Sequence, residues 1–280
     1  MHKYLFILFF ILASSMKLVW ADIRVPITFD EKNMPLISMN INGHEIDRIF
    51  IDTGASNAFY FPKTIFDLII PSFNKCEAVV QNSIDVFGHK ISTVMSRGGD
   101  VKINGEVFKN MNVEILKPWG KGMIDENGEY IVNGVLGLGI MNGNKTLVID
   151  YISNILIITN DLNKILDGYN WYSLNYIRTK QGFMVDVISN SNEKYRMVID
   201  TGASHSVIFT GTEKGCVNAS TSCPKKIITT PDSTNINALL FQVKDSRIDF
   251  DGLLGYDYLS NRILVITDNQ ILISSPKNNN

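Results

Sequence analysis

Phe50-Ile51-Asp52-Thr53-Gly54-Ala55-Ser56 returns later in the chain as Val198-Ile199-Asp200-Thr201-Gly202-Ala203-Ser204. The hexapeptide Ile-Asp-Thr-Gly-Ala-Ser is identical in the two copies, which stand 148 positions apart. At average residue usage a given Asp-Thr-Gly is expected about 0.06 times in a chain of this length. An identical hexapeptide in matched surroundings therefore marks a duplication. The surroundings do match. Upstream, Ile37 and Met39 fall on Val185 and Val187, the alternate apolar positions of a half-buried strand. Downstream, Gly134-Val135-Leu136-Gly137 is echoed by Gly252-Leu253-Leu254-Gly255, and each is followed by two short apolar runs. Asp52 and Gly137 are 85 positions apart but Asp200 and Gly255 only 55, so an extra element is expected in the first half alone.

The rest of the composition agrees with a folded, two-unit chain. Of 280 residues, 45% are apolar and 19% charged, which excludes a disordered chain. A net charge of -2 gives no general attraction to nucleic acid. Short β-branched and aromatic runs alternate with turn signals such as Asn42-Gly43, Asn104-Gly105 and Asn127-Gly128. Helical patterns are confined to residues 62–70 and 160–166. The expectation is a mainly β protein of two pseudo-symmetric lobes, at 22–160 and 171–280, joined by a linker at 161–170.

Residues 1–21 read differently. Met1-His2-Lys3, the apolar run Tyr4–Ala13 and the ending Val19-Trp20-Ala21 have the form of a secretory signal cleaved near Ala21. Lys17 interrupts the run well before the ~20 apolar residues that a bilayer span needs. The protein is thus expected to be secreted or periplasmic without a stable membrane anchor; an uncleaved anchor is the alternative. In an oxidising compartment Cys216 and Cys223 are expected to form a local disulfide, the alternative being two thiols. Cys76 has no obvious partner. The absence of a CxxC pair with a nearby His argues against zinc, and no metal or cofactor is expected.

A strand that delivers Asp into a tight Thr-Gly turn presents a carboxylate at a fixed point. Two such lobes about a pseudo-twofold axis would bring Asp52 and Asp200 together. Two carboxylates in contact cannot both ionise easily and hold one proton between them. One member can then act as a base on water while the other polarises a carbonyl; aspartic proteases are the established example of such a pair. On these residues the sequence resembles the two-lobed aspartic peptidases of the pepsin and retropepsin group, in a bacterial or short-lobed form. The resemblance implies that Asp52 and Asp200 are the catalytic pair of an endopeptidase and that its partner is a peptide or protein substrate. Thr53 and Thr201 would exchange hydrogen bonds beneath the pair, and Gly54 and Gly202 would let substrate backbone pass close by. Because both halves of one site lie on one chain, a monomer is expected. A peptide- or protein-binding module that keeps the fold without turnover is the competing function.

Three departures qualify the resemblance. Ala55 and Ala203 replace the Ser or Thr that pepsin-like enzymes place after the motif, which predicts a less acidic pair and a mildly acidic optimum. Thirty residues between Ala21 and Asp52 leave no room for a pepsin-style propeptide. The cleft-covering flap is expected at Ile84–Gly88, with Phe87 and Gly88 over bound peptide; a core aromatic in a hairpin is the plain alternative for Phe87. Trp119 is either a pocket residue or a surface cap, and His205 either modulates the pair or faces solvent. Gly202-Ala203-Ser204-His205-Ser206 ends in Ser where a nucleophile elbow needs Gly. Gly143-Asn144-Lys145-Thr146 lacks the helix that a phosphate loop requires. Asn144 and Asn218 fit the glycosylation pattern.

Overall fold

The computed structural model describes residues 22–70, 77–84, 90–119, 123–143, 145–211, 215–217, 222–243 and 248–276. The signal-like segment, Cys76, Phe87, Gly88, Asn144 and Asn218 lie outside the described residues.

The first half of the chain forms β1 (Ile23–Pro26), β2 (Thr28–Phe29), β3 (Pro35–Ile41), β4 (His44–Ile51) and β5 (Phe59–Phe61). It continues with β6 (Glu77–Ile84), β7 (Lys90–Ile103), β8 (Glu106–Ile115), β9 (Gly134–Leu136), β10 (Thr146–Asp150) and β11 (Ile155–Thr159). The second half forms β12 (Trp171–Ser173), β13 (Tyr176–Thr179), β14 (Gly182–Ser189), β15 (Lys194–Ile199) and β16 (Val207–Thr210). Its remaining strands are β17 (Lys225–Thr229), β18 (Asn235–Gln242), β19 (Gly252–Leu254), β20 (Ile263–Ile266) and β21 (Ile271–Ser274). Helices are short, with α1 (Lys63–Ile69) and α2 (Asn163–Leu166) inside the two stretches expected to be helical. A single helical turn also follows each downstream glycine, Leu138–Met141 after Gly137 and α3 (Tyr256–Leu259) after Gly255, a second repeat that no periodicity announced.

Each lobe has its own sheet. The first has eight strands in the order β2-β3-β4-β9-β5-β8-β7-β6, and the second has seven in the order β13-β14-β15-β19-β16-β18-β17. The motif strands sit alike in both. β4 pairs in parallel with β9 (Ile51 opposite Leu136), and β15 in parallel with β19 (Ile199 opposite Leu254). Asp52 N–H donates to Leu136 O and Asp200 N–H to Leu254 O, each at 2.9 Å. The glycine after β9 is dictated by crowding. A Cβ on Gly137 would stand 2.4 Å from Asn57 O, and one on Gly255 2.5 Å from Ala203 O. The motif turn and the glycine turn therefore lock together only without a side chain there.

A third sheet of six strands, β1-β11-β10-β20-β21-β12, takes three strands from each half of the chain. Its strands are continuous apolar runs because both faces are covered. Leu147, Ile149, Leu264, Ile266 and Ile273 face the main core that runs through both lobes. Val148, Ile157, Val265 and Leu272 face the other way, under Ile165 and Leu166 of α2 and under Trp171, whose indole N–H donates to Leu166 O at 2.8 Å.

The length asymmetry between the halves is a hairpin. β6 pairs along its whole length with the first part of β7, from Glu77 opposite Arg97 to Ile84 opposite Lys90, while the rest of β7 pairs with β8. Among the described residues the second lobe has no counterpart of β6, its β17 and β18 matching only β7 and β8. A disulfide joins Cys216 to Cys223 across a Cα separation of 5.6 Å. No helix among the described residues is long and apolar enough to cross a membrane.

Candidate active site

Asp52 and Asp200 end the paired strands and meet where the two lobes face each other. Gly54 N–H donates to Asp52 Oδ1 at 2.8 Å and Gly202 N–H to Asp200 Oδ1 at 2.7 Å, so each turn aims its own carboxylate. The two carboxyl groups lie side by side, both within reach of the same two glycines. Asp52 is 5% exposed. A Cβ on Gly54 would lie 3.1 Å from Asp52 Oδ1 and 3.5 Å from Asp200 Oδ2, and one on Gly202 2.8 Å from Asp200 Oδ1 and 3.1 Å from Asp52 Oδ1. A side chain at Gly202 would press on both carboxyl groups, and one at Gly54 would crowd Asp52.

Beneath the pair, two buried threonines cross the pseudo-twofold axis. Thr53 N–H donates to Thr201 Oγ1 and Thr201 N–H to Thr53 Oγ1, both at 3.0 Å. Their hydroxyls donate onward, Thr53 to Ile199 O at 2.7 Å and Thr201 to Ile51 O at 2.8 Å. Each hydroxyl thus both accepts from and donates to the opposite motif strand, and the relative position of the two carboxylates is set by hydrogen bonds, not by packing alone.

Burial raises both acids above the ordinary aspartate range, because the charged form loses water. Asp200 is raised well above it, first by burial and then by the neighbouring Asp52 charge, with Gly202 N–H opposing. For Asp52 the N–H groups of Gly54 and Ala55, the Asp200 carboxyl and the Trp119 side chain all pull back against burial. The pair therefore carries one proton across a wide range of pH.

The pair lies in a cavity of about 510 Å³ lined by both lobes. Gln81, Asn82, Ile91 and Thr93, on the arms of the β6–β7 hairpin, form one wall, and Lys180, Gln181, Ile248 and Phe250 of the second lobe form another. Phe87 and Gly88, expected over the cleft, lie outside the described residues. Trp119 lines the cavity, with its ring edge-on to Tyr60 at a centroid distance of 5.1 Å. His205 is exposed, hydrogen-bonded to Ser204 Oγ at 3.1 Å, and does not line the cavity.

Two lining residues were not legible in the sequence. Glu114, only 5% exposed, accepts hydrogen bonds from Asn57 Nδ2 at 2.6 Å and from Thr93 Oγ1. Tyr60 accepts from Asn57 N–H at 3.1 Å. Glu114 depends on partners brought in by the β5–β8 and β7–β8 pairings, which no local pattern encodes. Among the described residues no group of three or more His, Cys, Asp or Glu side chains is placed to hold a metal ion.

No family model matches the chain, and no curated protein matches it in sequence. Among solved structures it is similar to the crystal structure of basic 7S globulin from soybean, at 9% identity with a TM-score of 0.55. The match covers 91% of this chain and 95% of that one. At that identity the likeness concerns fold alone. The chain has the mainly β fold of the pepsin-like aspartic peptidases, two pseudo-symmetric lobes built around a duplicated Asp-Thr-Gly strand and turn.

Proposed function

We propose that the protein is an aspartic endopeptidase. The observation that carries this reading is the juxtaposition of two carboxyl groups, one from each copy of the motif, in a cavity lined by both lobes. Water held against the pair would attack the scissile carbonyl carbon while the ionised carboxylate takes its proton. The protonated carboxyl gives its own proton to the carbonyl oxygen. The resulting gem-diol collapses as the leaving nitrogen takes a proton from the first carboxyl. The C–N bond breaks, and a gem-diol hydroxyl returns a proton to the second carboxylate. The pair ends as it began, with one proton and no covalent intermediate.

In this reading the threonine exchange keeps the pair in register, and Phe87 and Gly88 would contact an extended peptide that adds main-chain hydrogen bonds like a further strand. The disulfide fits an oxidising compartment, in line with export of a monomer after cleavage near Ala21. A peptide library digested at about pH 4–6 tests the function. Wild type should release fragments and Asp52→Asn or Asp200→Asn should release none while remaining folded. Full activity in either variant refutes the mechanism. The second reading, a peptide- or protein-binding module without turnover, is favoured by the name of the structural neighbour, a globulin. It would release no fragments at any enzyme concentration.

A further inference from the structure

Besides the aspartate pair, one acid among the described residues lines the cavity, and it is Glu114. It stands on β8 directly opposite Tyr60 of β5, so the two side chains share a face of the sheet and both reach the cavity. Its carboxyl group is nearly buried and accepts one bond on each oxygen, from Asn57 Nδ2 at 2.6 Å and from Thr93 Oγ1. Both donors are neutral, and a carboxylate has places for about four. Among the described residues no lysine, arginine or histidine is ion-paired with it. An anion held out of water without a counterion is costly, and a cation that reaches it offsets that cost. The fold does not itself require an acid here. In the matching strand pair of the second lobe, Leu239 and Leu240 stand opposite Val207 and Ile208.

The surroundings of Glu114 suit a long side chain with a charged end. Tyr60 and Trp119, edge-on to each other, line the cavity together with Ile91, and these offer apolar and aromatic surface beside the carboxyl group. The second lobe contributes Val198, Ile248, Phe250 and Leu253, so its part of the cavity is apolar apart from Asp200, Lys180 and Gln181.

We propose that Glu114 is a specificity determinant that receives a lysine or arginine side chain of an extended peptide. The methylene stem lies along Ile91 and the two rings, and the cationic head bonds the free lone pairs of the carboxylate. Lys117 and Lys180 also line the cavity, but both are exposed, where solvent and salt screen their repulsion of an incoming cation. The cleavage half of this inference rests on the peptidase reading, and the recognition half on the cavity alone.

Blocked peptides that carry lysine, norleucine or glutamate at each position in turn test the proposal at about pH 6. With wild type, one position relative to the cleaved bond should favour lysine over norleucine by about 30-fold in kcat/KM, and Glu114→Gln should bring that ratio to within about threefold of unity. Norleucine favoured at every position overturns the proposal, as does a lysine preference that survives in Glu114→Gln. A preference for glutamate would hand the selection to Lys117 and Lys180 and overturns it too. The wild-type comparison of lysine with norleucine decides even if Glu114→Gln does not fold. If wild type cleaves none of the peptides, the peptidase reading falls and calorimetric binding of the same peptides decides the subsite. Binding of a lysine peptide about tenfold tighter than its norleucine twin supports recognition by Glu114, and equal or undetectable binding overturns it.

Discussion

Replacing Thr201 by Val tests whether hydrogen bonds, and not shape alone, join the two motif turns. Valine fills nearly the same volume, and Thr201 is 1% exposed, so packing changes little. What changes is the polar ledger. Thr53 N–H loses its acceptor, previously 3.0 Å away, and Ile51 O loses a donor at 2.8 Å. Water does not reach either group to compensate. A buried backbone group left unsatisfied costs about 1–3 kcal/mol, so two such groups set an expected loss of about 2–6 kcal/mol. Against a typical total of about 5–15 kcal/mol this is a large fraction. The assay is urea unfolding followed by near-UV circular dichroism, with Thr201→Ser as the control that keeps the hydroxyl. Valine should lower the midpoint far more than serine does, at an unchanged denaturant slope. Because the same bonds hold Asp52 against Asp200, Thr201→Val should also shift the pH range in which the pair shares a proton. A valine variant as stable as the serine variant would refute the reasoning, leaving packing alone to hold the turns.

Two further expectations concern buried charge. Asp232 and Arg262 form an ion pair at 2.7 Å with side chains 1% and 3% exposed, beneath the Tyr258 ring and bonded to Thr230, Thr234 and Ser274 O. Asp232→Asn strands the guanidinium and should cost about 3–5 kcal/mol by urea unfolding at neutral pH. Burial works to raise the Asp232 acid, but bonds from Thr230 and Thr234 and the Arg262 charge outweigh it and leave it lowered from 3.8. The stability it contributes is thus present above 3.8 and lost as pH falls through the lower folded value. The gap between wild type and Asp232→Asn should accordingly narrow in that acid range, and a gap that is constant with pH would count against the pair. Glu114 behaves in the opposite sense. Burial raises it above 4.5, against the Thr93 and Asn57 bonds, so its contribution is full below 4.5 and declines as pH rises through the folded value. Glu114→Gln should therefore be more stable relative to wild type at neutral pH than at about pH 4 in paired unfolding curves, and equal offsets at both would exclude the effect.

The duplicated motif made much of the fold legible, because a repeat with its flanking strands specifies a topology twice. Ile37 and Met39 do lie in β3 as Val185 and Val187 lie in β14, and each motif strand does run beside the strand that ends in the second glycine. The extra hairpin was legible as a length difference. The shared sheet was not. β10 and β20 read simply as short apolar strands, and nothing local says that they pair with each other across the two halves. The same holds at the cleft. The aspartates were visible through a motif, but the place of Glu114 beside Asn57 arises from long-range pairing, which sequence spacing does not encode.

The six-stranded sheet ties the completion of the site to the completion of the chain. β10 leaves the first lobe with one edge open, and that edge is filled by Ile263–Ile266 from the second half of the chain, a pairing of long sequence range. Until those residues arrive, the floor on which both motif turns rest has no second half. A nascent or C-terminally clipped chain would hold Asp52 and Asp200 without the geometry that unites them. The sheet thus makes the union of the two motif turns a property of both halves of the chain together and of neither half alone.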